Sequence, residues 1–327
     1  MLKAWWRLRR ALSEATPLLQ AGDYWLEEGA ARRLVTDSDN WRLHPRRFRI
    51  TGPPSSGPGY DTVIRRSGCL ILLGEGRDHV LRLYRDQGEV DRLMTNSRWL
   101  RPAFPCPAAE TVPVELPGWF GVREDFVSGR ILRDAASNRW VPIYRKFLGC
   151  CAVNATRCEG RLETKGWFNE LDSWSSPPQV HQLLSFWHDE LVEILDGAPL
   201  LRSHGDAHNG NLIVTEEGDL VVIDVERVEA QPFFFDALSI LRGSEEVNQH
   251  LRRRYLSGLF DNELMAVWQA AGERFWPELR IPYLLAVAVC HAFRPQFADG
   301  PAHRRQEKLV KAVQKVQADC ESGRPSC

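Results

Sequence analysis

The chain has 327 residues, a formal net charge of -1, and 43% apolar and 26% charged residues. That length supports two modest domains or two lobes with a sizeable core, and the composition excludes wholesale disorder. The near-zero charge gives no global basis for nucleic-acid binding, and no apolar run approaches the ~18 residues of a membrane span. Cysteines at 69, 106, 150, 151, 158, 290, 320 and 327 form no Cys-x-x-Cys pair and no zinc-type spacing. Free thiols in a reducing compartment are therefore expected, no secretory signal being visible.

Residues 1–46 read as a helical extension, broken by Pro17 and punctuated by Gly22 and Gly29. Leu2, Trp5, Trp6, Leu8 and Leu12 share one side of such a helix, and Lys3, Arg7 and Arg10 the other. Trp with cations is the composition of an interfacial helix; the alternative is a terminal helix packed on the body. Residues 47–51 alternate like a strand, and Gly52 to Gly59 form a Gly/Pro/Ser loop. Cys69 to Leu73 and His79 to Tyr84 read as a hairpin around Gly74 to Asp78. A helix is predicted over Glu89 to Leu100, stopped by Pro102, Pro105 and Pro107. Thr111 to Val114 and Trp119 to Arg123 read as two further strands.

After Ser128-Gly129 the pattern turns helical from about residue 133 to 200, with a loop around Ser173 to Pro178. Leu212 to Val214 and Leu220 to Ile223 are short strands, and the segment from Phe235 to about 320 is again helical. Tyr283 to Ala292 reads as a buried helix. The predicted class is α+β with two lobes: a small antiparallel sheet over 47–123, a connector at 124–130, and a mostly helical lobe over 131–327.

Residues 203–226 concentrate the chemistry. Asp206 is followed five residues later by Asn211, and a hairpin leads to Asp224 at the end of an apolar strand. Phosphoryl transfer uses such a set: one carboxylate for the acceptor hydroxyl's proton, and a carboxylate with an amide oxygen for Mg²⁺. The string His204-Gly205-Asp206, then Asn211, then Ile223-Asp224-Val225-Glu226 resembles the aminoglycoside phosphotransferase and choline kinase group, within the protein-kinase-like fold.

The resemblance implies ATP and Mg²⁺ as cofactors, Asp206 as catalytic base, and Asn211 and Asp224 as metal ligands. It gives His204 a structural role, and Asp236 the role of bracing the catalytic loop. His208 is either near substrate or a solvated loop residue; Glu226 either contacts metal or acceptor or forms a surface salt bridge. Arg82 stands where the family commonly carries a phosphate-binding Lys, with Glu89 as its expected partner and Asp91 as the competitor. Ser55 and Ser56 in the 52–59 loop are candidate phosphate contacts, with Ser67-Gly68 a competing turn. Glu124, Phe126 and Val127 lie in a stretch similar to the lobe connector that binds adenine in the family, the alternative being a plain edge strand followed by a turn.

The implied reaction moves the ATP γ-phosphate to a hydroxyl. Candidate acceptors are an aminoglycoside, choline or ethanolamine, an amino-sugar, or a lipopolysaccharide core sugar. Asp189, Glu190 and Glu193 could recognise a cationic acceptor or form a solvated helix face. The basic, Trp-bearing N-terminus and Arg304, Arg305, Lys308, Lys311 and Lys315 point toward a glycolipid acceptor, the solvated face again being the alternative. No nucleic-acid partner is expected. Localisation is expected to be cytoplasmic, with the N-terminus leaving open a peripheral contact at the inner face of a membrane. A second reading is a pseudokinase, a nucleotide-binding regulatory module without turnover, favoured by Arg82 and opposed by the intact Asp206, Asn211 and Asp224.

Overall fold

The computed structural model describes residues 2–27, 30–33, 47–50, 59–66, 68–74, 76–174, 177–294 and 302–322. The chain divides into two compact units, one of residues 1–97 and 107–127, the other of 98–106 and 128–327. Among the described residues no helix is long and apolar enough to cross a membrane.

In the first unit, helix α1 (Leu2–Ala15) leads to strands β1 (Gly22–Glu27), β2 (Ala30–Arg33), β3 (Arg47–Ile50), β4 (Tyr60–Arg65), β5 (Cys69–Gly74) and β6 (His79–Tyr84). Helix α2 (Gln87–Leu100) follows, then β7 (Ala109–Val112) and β8 (Phe120–Asp125). The strands form one sheet in the order β3-β1-β2-β4-β5-β6-β8-β7, with antiparallel neighbours throughout.

Among its described residues, the segment expected to be a helical extension is helical only at its start. Helix α1 gives way to a short 3-10 turn over Thr16–Leu18, and β1 and β2 then join the sheet. The physical reason is a brief two-residue alternation: Tyr24 and Leu26 are fully buried while Trp25 between them points to the other face. Helix α1 presents Leu8, Ala11, Leu12 and Ala15 at helical spacing, and all four are buried in the core shared with Tyr24, Leu26, Val63, Leu72, Leu81 and Leu83. Leu8 and Leu12 thus pack on the body of the protein; the side chains of Trp5 and Trp6 lie outside the described residues. The same holds for the loop with Ser55 and Ser56, and for Ser67.

The second unit opens with β9 (Arg130–Ile131) and helices α3 (Ser137–Ala155), α4 (Trp167–Ser173), α5 (Pro178–Phe186) and α6 (His188–Leu195). Then come β10 (Leu200–Ser203), β11 (Leu212–Val214), β12 (Leu220–Val222) and β13 (Glu229–Pro232). Helices α7 (Phe235–Ser239), α8 (Glu246–Leu256), α9 (Asp261–Ala270), α10 (Arg280–Ala292) and α11 (Ala302–Ser322) complete it. Helix α10 is buried continuously from Pro282 to Cys290, as its unbroken apolar run predicts. It packs against α6, α7 and α11, while α3 packs on α9. Two small sheets, β12-β11-β9 and β10-β13, hold the segment of chemical interest. The fold is therefore α+β, an antiparallel-sheet lobe preceding a mostly helical lobe, the protein-kinase-like arrangement.

Candidate active site

The loop between β10 and β11 is fixed at several points. Strand β10 pairs with β13 so that Ser203 faces Glu229, and the chain then turns through His204 and Gly205. Gly205 has φ of +73°, and a Cβ there would stand 2.3 Å from the Arg227 carbonyl oxygen, so only glycine fits. Asp236, in the first turn of α7, accepts the backbone N–H of His204 at 2.6 Å and that of Gly205 at 3.1 Å. Burial pushes the Asp236 carboxyl upward, while His204, the two amides and Arg294 oppose that. Arg294, just beyond α10, donates to the Gly205 carbonyl and pairs with Glu229. Asp236 thus holds two amides of the loop, and Arg294 holds a carbonyl of the same loop.

His204 is fully buried. Its Nδ1 accepts the Asp206 backbone N–H at 3.3 Å, which makes Nε2 the protonated nitrogen that donates to the Ile223 carbonyl at 2.9 Å. This ring ties the loop to the end of β12. Asn211 adds a third tie, its Nδ2 donating to the Asp206 carbonyl at 3.0 Å. Farther along, Asn209 Nδ2 donates to Glu245 at 2.7 Å and to Asn248 at 3.0 Å, anchoring the loop to α8 and the residue before it.

The register Leu212↔Val222 and the Ile223 N–H to Asn211 carbonyl bond of 2.9 Å bring Asn211 beside the end of β12, next to Asp224. Asp224 itself is left-handed, at φ 66° and ψ 54°, a conformation that Asp tolerates better than most residues. With Asn211 Nδ2 committed as a donor, its Oδ1 is the acceptor side of the amide. That oxygen and the Asp224 carboxylate are hard donors, and two protein oxygens fit Mg²⁺, which keeps waters and phosphate oxygens as its other ligands. Among the described residues no group of three or more His, Cys, Asp and Glu could hold a metal.

The Asp206 carboxylate is partly exposed and lies 3.2 Å from Arg227 Nη1. Arg227, in the turn that follows Asp224, is a residue that reading by motif passes over. Its signal was only its position three residues after Asp224. His208 is exposed, and its Nδ1 accepts the Gly210 N–H at 3.0 Å, so the ring closes its own turn. Glu226 is half-buried in the 3-10 turn Val225–Arg227. Asp206, His208, Arg242, His291, Arg294 and Lys315 border one cavity of about 280 Å³. Asp189, Glu190 and Glu193 do not line it; Glu193 borders a separate cavity with Arg161 and Trp276.

In the first unit, Arg82 differs from the expectation. It is buried, and its Nε binds Glu124 Oε2 at 2.7 Å, a partner other than the expected Glu89. Sheet register explains this: Arg82 faces Val122 on β8, which makes Glu124 its diagonal neighbour on the same face. Glu89 lies at the start of α2 with its carboxylate beside Gly68. Glu124 and Asp125 belong to β8, so the connector begins later than residue 124. Beyond the strand, Phe126 N–H donates to the Asp78 carbonyl at 3.1 Å, the Arg77 guanidinium lies 5.9 Å from the Phe126 ring, and Val127 is half-buried.

Comparison with known proteins gives a family. Residues 69–273 match the model of the phosphotransferase enzyme family, more than half of the chain. Among solved structures, similar chains include the aminoglycoside phosphotransferase APH(4)-Ia in ternary complex with AMP-PNP and hygromycin B. It is 13% identical, with 79% of this chain and 91% of that one covered, at a TM-score of 0.49. The GDP and kanamycin complex of APH(2")-IIia is 13% identical, with coverages of 80% and 92% and a TM-score of 0.48. A choline/ethanolamine kinase family protein from Mesorhizobium loti is 13% identical, with coverages of 80% and 93% and a TM-score of 0.43. No curated protein matches the sequence. On the family match, this chain is a member of the phosphotransferase enzyme family.

Proposed function

We propose that this chain transfers the γ-phosphoryl group of ATP to a hydroxyl of a small molecule. One observation carries the reading: the Asp206 backbone is pinned by His204 and Asn211, and Asp206 borders a cavity large enough for a small acceptor. A fixed carboxylate at the acceptor's hydroxyl is what positional catalysis of phosphoryl transfer needs.

The acceptor oxygen attacks the γ-phosphorus, the new O–P bond forms, and the bond to the β-γ bridging oxygen breaks with release of ADP. Asp206 takes the hydroxyl proton. Arg227 holds the carboxylate in place from 3.2 Å. Asn211 and Asp224 would hold Mg²⁺, which when bound neutralises phosphate charge. In the first unit, Arg82, whose Nε is held by Glu124, is assigned to the nucleotide phosphates. Phe126 and Val127, just past β8, are assigned to the base.

The test is Mg²⁺- and ATP-dependent product formation across a broad acceptor panel, comparing wild type with Asp206→Asn and Asp206→Ala. Loss of a general base predicts a fall in kcat of about 10²- to 10⁴-fold with nucleotide affinity retained. Equal, background-level product from wild type and Asp206→Ala on every acceptor would instead make the chain a nucleotide-binding module.

A further inference from the structure

The cavity beside Asp206 has a composition that the phosphotransfer reading alone does not require. Its walls come from the 204–211 loop, from Phe235 and Ser239 of α7, from Arg242 in the turn after it, from α10 and its end, and from α11. Asp206 is the one carboxylate among the lining residues, against Arg242, Arg294 and Lys315 and the imidazoles of His208 and His291. With a chain net charge of -1, this concentration of cations is local and not a property of the whole protein.

Two of the cations stand apart from Arg294 in their surroundings. Arg294 is committed to Gly205 and Glu229, so it belongs to the loop's support. Arg242 is different: its Nε is buried and has no hydrogen-bond partner. A buried guanidinium nitrogen without a partner costs free energy, and the same residue borders the cavity, where an anion would stabilise its charge. Lys315 is half-buried on the cavity side of α11, whereas its neighbours Arg305 and Lys311 are paired with Glu170 and Glu307. Burial, then Arg252, Arg242 and Lys311, hold the Lys315 ammonium below its usual range. Burial, then Arg294, bring Arg242 down to about 10. Groups that repel one another in this way gain most from an anion placed between them.

We infer that the hydroxyl acceptor is itself an anion, a sugar or polyol bearing a phosphate monoester or a carboxylate, held by Arg242 and Lys315 while its hydroxyl meets Asp206. The volume of about 280 Å³ lies near the small end of ligand pockets, roughly 300–1,000 Å³, which suits one sugar-sized unit. A polyamine acceptor would bring like charges against Arg242 and Lys315, which disfavours it. The catalytic part of this inference rests on the phosphotransfer reading; the anion site does not.

The experiment titrates the full chain by calorimetry with inorganic phosphate, glucose 6-phosphate, galacturonate, glucose and kanamycin, and follows ADP release from Mg·ATP with each organic compound. Phosphate, glucose 6-phosphate and galacturonate are expected to bind at least about tenfold more tightly than glucose or kanamycin, the phosphate and carboxylate arms separating the two sources of charge. Arg242→Gln and Lys315→Gln should each weaken anion binding by about tenfold while leaving ADP binding unchanged. Lys315→Gln guards against a folding defect at Arg242, because Lys315 is only half-buried on the last helix. Kanamycin binding as tightly as the anions, or anion binding unchanged in Lys315→Gln, would overturn the inference. A parallel loss of ADP affinity would also overturn it, by assigning the cations to the nucleotide. Absence of both ADP binding and acceptor-stimulated ADP release would sink the phosphotransfer reading, and the phosphate titration would still decide the anion site.

Discussion

Asp236 receives the backbone N–H groups of His204 and Gly205, 2.6 and 3.1 Å away, so one buried carboxylate sets the path of the loop that carries Asp206. Replacing it by Ala leaves two buried amides without an acceptor. Asp236→Ala is expected to cost about 2–3 kcal/mol of stability and to lower kcat more than it raises KM. Urea unfolding read beside steady-state kinetics checks this. An unchanged unfolding midpoint would show that the loop is held by its other ties alone.

Asp224 combines a left-handed backbone with a proposed metal-ligand role, and substitution separates the two. Asn tolerates that backbone, so Asp224→Asn should keep its thermal stability while needing at least about tenfold more Mg²⁺ for half-maximal turnover. Asp224→Val adds a conformational cost of about 1–2 kcal/mol. Mg²⁺ titration of ATP turnover, with thermal unfolding of both variants, gives the comparison.

The Arg82–Glu124 pair is buried, with side chains 10% and 12% exposed. Removing one partner takes this ion pair from a buried charge, so Arg82→Met or Glu124→Leu alone should destabilise by about 3 kcal/mol, and the double variant should lose less than the sum of the two. The double variant should still bind ATP poorly, because the phosphate contact assigned to Arg82 is gone. Recovery of both stability and ATP affinity would make Arg82 purely a scaffold residue.

His291 predicts a pH effect with a definite sign. Burial, then Arg242, Arg294, Lys308 and Arg227, push its imidazole from 6.5 down to about 2. The folded chain therefore holds this site neutral where the unfolded chain takes up a proton. Below pH 6.5 the unfolded state binds more protons, so stability falls as pH falls through the window from 6.5 to about 2. The loss should be about 1 kcal/mol between pH 6.5 and about 5.5. Denaturant unfolding across that range should show this slope in wild type and a smaller one in His291→Gln.

Much of the architecture was legible from local pattern. Strands β6 and β11 were read with their observed ends, because alternating or apolar runs there are bounded by turn residues. The loop tie through Asp236 followed from the motif. Long-range relations were less legible. Strands β1 and β2 were read as part of a helical extension because the informative alternation, Tyr24 and Leu26, covers only a few residues between glycines. Glu124 lies 42 residues from Arg82 and meets it only through the register of β6 on β8, whereas Glu89 was the nearer acid in sequence. Arg242, Arg294 and Lys315 come from three separate places in the helical unit, and no spacing rule links them.

The span matched by the family, residues 69–273, starts at the first residue of β5, in the middle of the sheet. An expression fragment cut there would present β5 as a raw edge, without β4 and without the Leu8, Leu12, Tyr24 and Leu26 cover. Cutting at residue 273 would remove α10, Arg294 and Lys315. The shared span is therefore not an autonomous folding piece. Its flanks supply four of the eight sheet strands, and they also hold Lys315, on which the inferred acceptor choice depends. Selectivity in this chain can thus diverge through its ends while the central motif stays as it is.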